Sequence, residues 1–469
     1  MLTGQNGILN RAGEAKEKNG TAQKEEALKI SVMDALSNGL GEITDSNLKK
    51  ALNNNLGTEG EDYEIVGSEE CGWTVTIKEN EKDYKISSKG EIGEIEKVEG
   101  SKSDWEVEGN AVVKYLGSSE NIVVPNYIDG VKITEIGDNI FKNSEIDGTL
   151  KISEGIKVID EHAFDTSKFE GNLVLPNTIK EIKDYAFAGC TGFTGNFEVP
   201  ASIANIGEWA FAGWTGNLEN LVIPSTLKQI PQGLFASSSG FKGTLTINDG
   251  PEEIGKSAFL NCTGFEGSLV IPDSVKIIGD SAFGSCKGFE KLVLSNKLES
   301  IGNSAFISCS GFRGELIIPN TVKEIDSFAF CGCSSFSGDL TIPNSIQKLG
   351  VDYLFTGMTL TGTLDLGSGE GIKNGISYDA PRKITKLIVR TNCRMIGESS
   401  FIANLSNLKS CWLSSDAIKN MNKQLFYGAN PDIIIYTDVT EENAEWPDDW
   451  NIHNLKVVYG ISVEEYMNM

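Results

Sequence analysis

The chain has 469 residues, and its 41 Lys and Arg against 66 Asp and Glu leave a formal charge of -25, which repels a phosphate backbone or an anionic membrane surface and argues against nucleic acid as a partner. Hydrophobic residues make up 39%, and 51 Gly stand against 12 Pro, which excludes a disordered or collagen-like chain. The length suits several domains or one elongated repeat array.

Asn10 to Ser37 is rich in Ala, Glu and Lys, with Ala22, Ala27, Leu28, Ile30, Met33, Ala35 and Leu36 at roughly helical spacing, which predicts a helix. A shorter helix can begin with Thr44 or Asp45 as cap and run through Leu48, Ala51 and Leu52. Three alternating runs follow: Tyr63-Glu64-Ile65-Val66, Trp73-Thr74-Val75-Thr76-Ile77 and Tyr84-Lys85-Ile86-Ser87. They predict an antiparallel meander, so residues 1–90 read as a small α+β module with a helix against a sheet. This order of parts, with Leu9-Asn10-Arg11-Ala12-Gly13-Glu14-Ala15-Lys16-Glu17 at its head, resembles the soluble portion of a type IV pilin-like or pseudopilin subunit. The resemblance implies a helix that continues upstream into an apolar anchor with a processing site. No stretch of this sequence approaches the ~20 apolar residues of a membrane helix. Met1-Leu2-Thr3-Gly4-Gln5 lacks the basic and apolar regions of a secretory signal. Membrane attachment is therefore expected only through an anchor absent from this sequence. The acidic, Gly-containing residues 91–104 read as a linker.

From 105 to 440 the sequence repeats itself. A small or apolar residue followed by Phe recurs at Phe141, Phe164, Phe187, Phe211, Phe235, Phe259, Phe283, Phe306, Phe330 and Phe355, then at Phe401 and Phe426, and every step up to Phe330 is 23 or 24 residues. An upstream triplet keeps the step, as in Leu173-Val174-Leu175-Pro176, Leu221-Val222-Ile223-Pro224, Leu269-Val270-Ile271-Pro272, Leu316-Ile317-Ile318-Pro319 and Leu340-Thr341-Ile342-Pro343. One unit reads G-x-L-x-I-P-x-x-[VI]-x-x-I-x-x-x-A-F-x-x-C-x-x-F. The L-x-I alternation fits a short strand whose flanking side chains point one way and whose middle one points the other. Pro ends it, having no N–H for a ladder. Val322, Ile325, Ala329 and Phe330 then predict a short irregular or helical return segment with one apolar face.

Such a unit has too little interior to fold alone, because fixing each backbone residue costs ~1–2 kcal/mol, whereas stacked units share a core. The expected fold is a mainly β/irregular leucine-rich-repeat solenoid, right-handed, with one short strand per 23–24 residue turn. Strands from Ile122-Val123-Val124 to Leu387-Ile388-Val389 give twelve turns, a curved rod on the order of 50–60 Å long at about 4.8 Å per strand. Leu364-Asp365-Leu366 and Leu387-Ile388-Val389 stand 23 apart, so a repeat persists there with its Phe lost around Ser377-Tyr378. Residues 441–469 read as a C-terminal cap.

The run Ile271-Pro272-Asp273-Ser274-Val275-Lys276-Ile277-Ile278-Gly279, followed by Ala282-Phe283 and Cys286, resembles the BspA-like leucine-rich repeats of bacterial surface proteins, with their I-P-x-x-V-x-x-I-G-x-x-A-F-x-x-C-x-x-L pattern. Tyr127 to Gly137 looks like the first repeat of such an array, and Phe193 and Phe289 replace the Leu after the Cys without loss of apolar character. The resemblance covers roughly 105–440. It implies an extracellular, cell-surface location and adhesion to, or interaction with, a host or neighbouring protein.

Chemical motifs are few. Cys190, Cys262, Cys286, Cys309 and Cys333 occupy one slot of successive units and Trp214 fills it in another, which predicts a buried, apolar thiol ladder rather than disulfides. Cys331-Gly332-Cys333 is too close for a zinc knuckle. His occurs only at His162 and His453, short of a zinc triad or a Ser-His-Asp arrangement. Glu252-Glu253 and Asp448-Asp449 read as solvated charge, and no Gly-rich phosphate motif follows a strand. No catalytic residue, metal or cofactor is expected, and the chain reads as a non-enzyme.

The middle strand residues Val174, Glu198, Val222, Thr246, Val270, Val293, Ile317 and Thr341 are expected to line the exposed sheet face, beside the polar Asn172, Asn196, Asn220, Thr244, Ser268, Lys291, Glu315 and Asp339. A row holding five Val or Ile suits a protein partner; the plain alternative is β-propensity on a sheet surface. Trp412, Trp446, Trp450, Tyr436 and Tyr459 suit sugar stacking or capping of the last open repeat. The leading reading is a non-enzymatic surface adhesion protein with a protein ligand. The alternatives are a structural subunit of a pilus-like assembly with the solenoid as spacer, and a carbohydrate-binding surface protein with a glycan ligand.

Overall fold

The computed structural model describes residues 22–39, 42–68, 72–78, 82–350, 353–370, 383–391, 405–421, 426, 430–448, 450 and 454–469. Residues 9–17, Ser377, Tyr378, Phe401, Asp449 and His453, all singled out above, lie outside the described residues.

The first helix is described over 22–38 and buries Leu28, Val32 and Ala35. The second spans Asp45–Asn55. Thr44 is its N-cap: the Thr44 side chain accepts from the Asn47 backbone N–H and the Asn47 side chain accepts from the Thr44 N–H, which satisfies two helix-end donors at once. Asp45, the other candidate cap, instead accepts the Trp73 indole N–H at 2.5 Å. Strands Tyr63–Ser68, Gly72–Ile77, Lys82–Ile86 and Ile92–Glu94 form an antiparallel sheet in chain order. Leu28, Leu48, Leu52, Trp73, Val75 and Ile86 belong to a hydrophobic cluster separate from that of the repeats. The segment expected as a linker carries ladder bonds on both sides. Ile92–Glu94 completes this sheet, and Glu99–Gly100 pairs in parallel with Tyr127–Ile128.

The repeats wind into a β-solenoid. A hairpin of Trp105–Glu108 and Ala111–Tyr115 closes its first edge, which covers backbone groups that an open edge leaves unpaired. The L-x-I triplets pair with their counterparts one unit away in parallel register, for example Ile122 with Leu150, Leu221 with Leu245, Leu269 with Leu292 and Leu364 with Leu387. This ladder continues past Val389 through Ser410–Leu413, Ile434–Tyr436 and Lys456–Val458.

The return segment, expected to be irregular or helical, carries a second parallel ladder. Two-residue strands Glu135–Ile136, Val158–Ile159, Glu181–Ile182 and Asn205–Ile206 pair in succession, as do those from Gln229–Ile230 to Lys348–Leu349. Pairing with the same segment of the next turn satisfies buried backbone groups that so short a segment cannot satisfy within itself. The corner before each A-F pair bends through positive φ, +55 at Ser257, +54 at Ser281 and +57 at Ser304. It keeps that bend where the residue is Tyr185, Trp209 or Phe328, at +56, +58 and +61, so the stacked turns impose a conformation that L side chains rarely adopt.

Between the ladders the phenylalanines form columns. Phe141, Phe164, Phe187, Phe211, Phe235, Phe259, Phe283, Phe306 and Phe330 stack nearly parallel, with neighbouring centroids from 4.8 to 5.9 Å apart. A second column runs through Phe241, Phe265, Phe289, Phe312 and Phe336 at 5.1 to 6.3 Å. Each fully buried ring contributes roughly 1.5–3 kcal/mol, and each is shared between neighbours, so a turn is stable only in company.

Candidate functional site

The period of two along each triplet fixes the face. Leu245 and Ile247 are buried on either side of exposed Thr246, and the same alternation leaves Val174, Glu198, Val270, Val293, Ile317 and Thr341 exposed and Val222 half-buried. Val174 is 65% exposed, Val270 50%, Val293 38% and Ile317 72%. The polar row beside it is ordered by its own ladder. Asn196 Oδ1 accepts from the Asn220 side-chain amide at 2.8 Å, and Asn220 Oδ1 accepts from the Thr244 backbone N–H at 2.8 Å and from its hydroxyl at 2.9 Å.

The row ends where another part of the chain covers it. Past Thr341 its members Asp365, Ile388 and Trp412 are buried. Arg390 holds Asp365 through contacts of 2.6 to 3.1 Å. The short helix Val463–Met467 then lays Tyr466 against Ile388 and Trp412. The Tyr466 hydroxyl lies 2.8 Å from that of Ser410, and the Trp412 indole donates to the Ile461 carbonyl at 2.9 Å. Burial pushes the Tyr466 hydroxyl up. The tail therefore sits on the sheet face; the signal for it was the Ser462-x-x-Glu465 capping box. Of the remaining C-terminal aromatics, Trp446 and Trp450 stack at 3.9 Å, with Phe426 against Trp450.

At the other end the N-terminal module meets the solenoid through charges. Lys85 Nζ lies 3.0 Å from Glu154, Lys132 lies 3.4 Å from Asp83, and Glu64 lies 3.8 Å from both Lys157 and Lys180. Partial burial raises the Glu64 carboxyl, but Lys157, Lys180 and Lys78 together hold it below its ordinary value. Beside the junction lies a cleft of about 870 Å³ over the sheet face, lined by Lys85, Glu154, Val174, Glu198 and Val222 among others.

The thiol slot has a chemistry that an apolar reading of it omits. Cys262, Cys286, Cys309 and Cys333 donate to the carbonyls of Phe235, Phe259, Phe283 and Phe306 at 2.9 to 3.1 Å. Trp214 donates to Phe187 O at 2.7 Å and Ser238 to Phe211 O at 2.9 Å. From Cys190 to Cys333 each occupant is a donor to a buried carbonyl of the preceding turn, whereas Met358, in the same slot after Phe355, is buried with no hydrogen to give. Burial pushes the thiols of Cys190, Cys262 and Cys309 up to about 12, so they carry no thiolate at neutral pH. A thiol reagent is expected to leave Cys190 and the four ladder thiols unmodified until the chain unfolds, as mass spectrometry of labelled peptides will show. Cys286→Ser, which keeps the donor, is expected to cost about 1 kcal/mol or less. Cys286→Val, which orphans the Phe259 carbonyl, is expected to cost about 1–3 kcal/mol.

His162 Nδ1 lies 2.8 Å from Asp165 and its ring stacks on Tyr185. Glu252 pairs with Lys276 at 2.8 Å. Among the described residues no group of three or more His, Cys, Asp or Glu is placed to hold a metal, and no helix is long and apolar enough to cross a membrane.

Fold and face together define a leucine-rich-repeat protein of the β-solenoid kind. The sequence matches the family described as BspA type leucine rich repeat region over residues 112–242, 157–286, 252–367 and 338–443. The chain belongs to that family. Solved structures similar to it include a leucine rich cell surface protein from Faecalibacterium prausnitzii, 16% identical, covering 82% of this chain and 95% of that one with a TM-score of 0.34. The pneumococcal vaccine antigen PcpA is 17% identical, covering 85% and 99% with a TM-score of 0.38. A leucine-rich repeat protein from Bacteroides ovatus is 19% identical, covering 78% and 99% with a TM-score of 0.34. No curated protein sequence matches the chain.

Proposed function

We propose that this chain is a non-catalytic, extracellular interaction protein that holds a host or neighbouring protein against the sheet face of its solenoid. The observation that carries the reading is the row itself. Val174, Val270, Val293 and Ile317 lie exposed on one face, in register with Glu198, Thr246 and Thr341. Apolar side chains aligned over many turns and rimmed by polar groups have the make-up of a binding surface, unlike apolar residues scattered singly. Membership of the BspA-type family supports a place at the cell surface.

Beads coated with the chain are expected to adhere to epithelial or bacterial cells. Val222→Lys, Val270→Lys and Ile317→Lys combined should lower adhesion about tenfold at unchanged melting temperature. Adhesion retained by the folded triple variant would reject this face. The helix-and-sheet module with its own hydrophobic cluster favours a second reading, a subunit of a pilus-like assembly with the solenoid as spacer. Filaments formed by the purified chain would support it.

A further inference from the structure

The sheet row differs along its length in what lies above it. Over the last strands it is already occupied by polypeptide, since Tyr466 and Ile461 of the tail cover Ile388 and Trp412. Over the middle strands it is open. Beside the strands around Val174 and Val222 the N-terminal module contributes Lys85 to the lining of a cleft of about 870 Å³, which falls within the size range of ligand sites.

Three features of the cleft bear on its ligand. Its floor presents two aliphatic side chains, Val174 and Val222, with the Glu198 carboxylate between them in the row. One rim presents the oriented amides of Asn196 and Asn220. At the wall, Glu154 Oε1 pairs with Lys85, while Glu154 Oε2 is buried with no hydrogen-bond partner among the described residues. One Glu154 oxygen is thus paired and the other sealed from solvent, and with Lys151 also in the lining the exposed Glu198 carboxylate is the anion that a ligand can meet. The chain's charge of -25 draws cations toward it from a distance.

We propose that this cleft binds an extended polypeptide segment in which a Lys or Arg stands beside an aliphatic residue. The cation reaches Glu198, and the aliphatic side chain rests on Val174 and Val222. Backbone amides of the segment meet Asn196 and Asn220, much as the tail's Ile461 carbonyl meets the Trp412 indole further along the row. This rests on the reading of the sheet face as the binding surface and narrows it to one third of the row.

The test uses the full chain and two fluorescein-labelled hexapeptides, one alternating Leu with Lys and one alternating Leu with Glu, titrated by fluorescence anisotropy. Saturable binding of the Lys peptide alone is expected, weakened about tenfold by Val174→Lys with Val222→Lys and several-fold by Glu198→Gln. Val270→Lys with Ile317→Lys makes the same change of charge on the same row outside the cleft. It therefore measures non-specific attraction and is expected to alter the affinity by less than about twofold. Thermal melting of each variant verifies that it is folded. Equal losses in the two Lys pairs would overturn the cleft while leaving the face reading intact. Equal binding of the Glu peptide, or no loss in the cleft pair, would overturn the cleft whatever the bead assay gives.

Discussion

Phe259→Ala is expected to destabilise the solenoid by about 3–5 kcal/mol, a large share of the about 5–15 kcal/mol that holds a typical domain folded. The ring is fully buried, with centroids of Phe235 and Phe283 at 5.9 and 5.2 Å on its two sides. Its removal opens a cavity that rigid ladders above and below cannot close, and it interrupts a column that couples successive turns. Because an array's stability is a sum over turns and nearest-neighbour interfaces, the loss should also divide the transition. Denaturant unfolding followed by circular dichroism should change from one sigmoid to two. Phe328→Ala supplies the comparison: that ring is only partly buried and stacks on the exposed Tyr353, so about 1 kcal/mol is expected. Equal costs for the two would mean that the Phe columns are not what binds turn to turn.

The winding of the chain was legible because each turn places the same slots inside. Leu and Ile of the triplet, the A-F pair and the Phe after the thiol slot recur at one step, and among the described residues nearly all of them are buried, Leu292 and Ile140 being half-buried. The exposed row followed from the period of two and needed no long-range knowledge. The second ladder was hidden, since strands such as Glu181–Ile182 are two residues long and their partners stand a full turn away. The donor role of the thiol slot was visible only by comparing its occupants: Cys, Ser and Trp share no size or polarity but each carries a hydrogen to give, while Met358 in the same slot near the end of the array has none. Contacts between parts distant in sequence left no periodic trace. Lys85 with Glu154 at the module junction and Trp412 with Ile461 at the tail are of this kind.

Removal of residues 461–469 is the second change from which a large effect is expected. It deletes the buried Tyr466 together with Ile461 and Val463, and uncovers Ile388 and Trp412, which are 0% and 4% exposed beneath them. Burial of one such side chain is worth roughly 1.5–3 kcal/mol, so the last strands should lose about 3–5 kcal/mol and melt first. Tyr466→Ala should give a good part of that loss, since it also unpairs the Ser410 hydroxyl. Uncovering these residues also bares a second apolar stretch on the same face, Ile388, Trp412 and Tyr436, beyond Thr341 and Asp365, and such a patch on a sheet face invites a second copy. The truncated chain is therefore expected to bind an apolar dye that the intact chain does not, and to associate in a concentration-dependent way by analytical ultracentrifugation. A truncated chain that stays monomeric, dark to the dye and unchanged in melting would mean that the tail merely rests on the sheet, and that Ile388 and Trp412 are kept from water by something other than Tyr466.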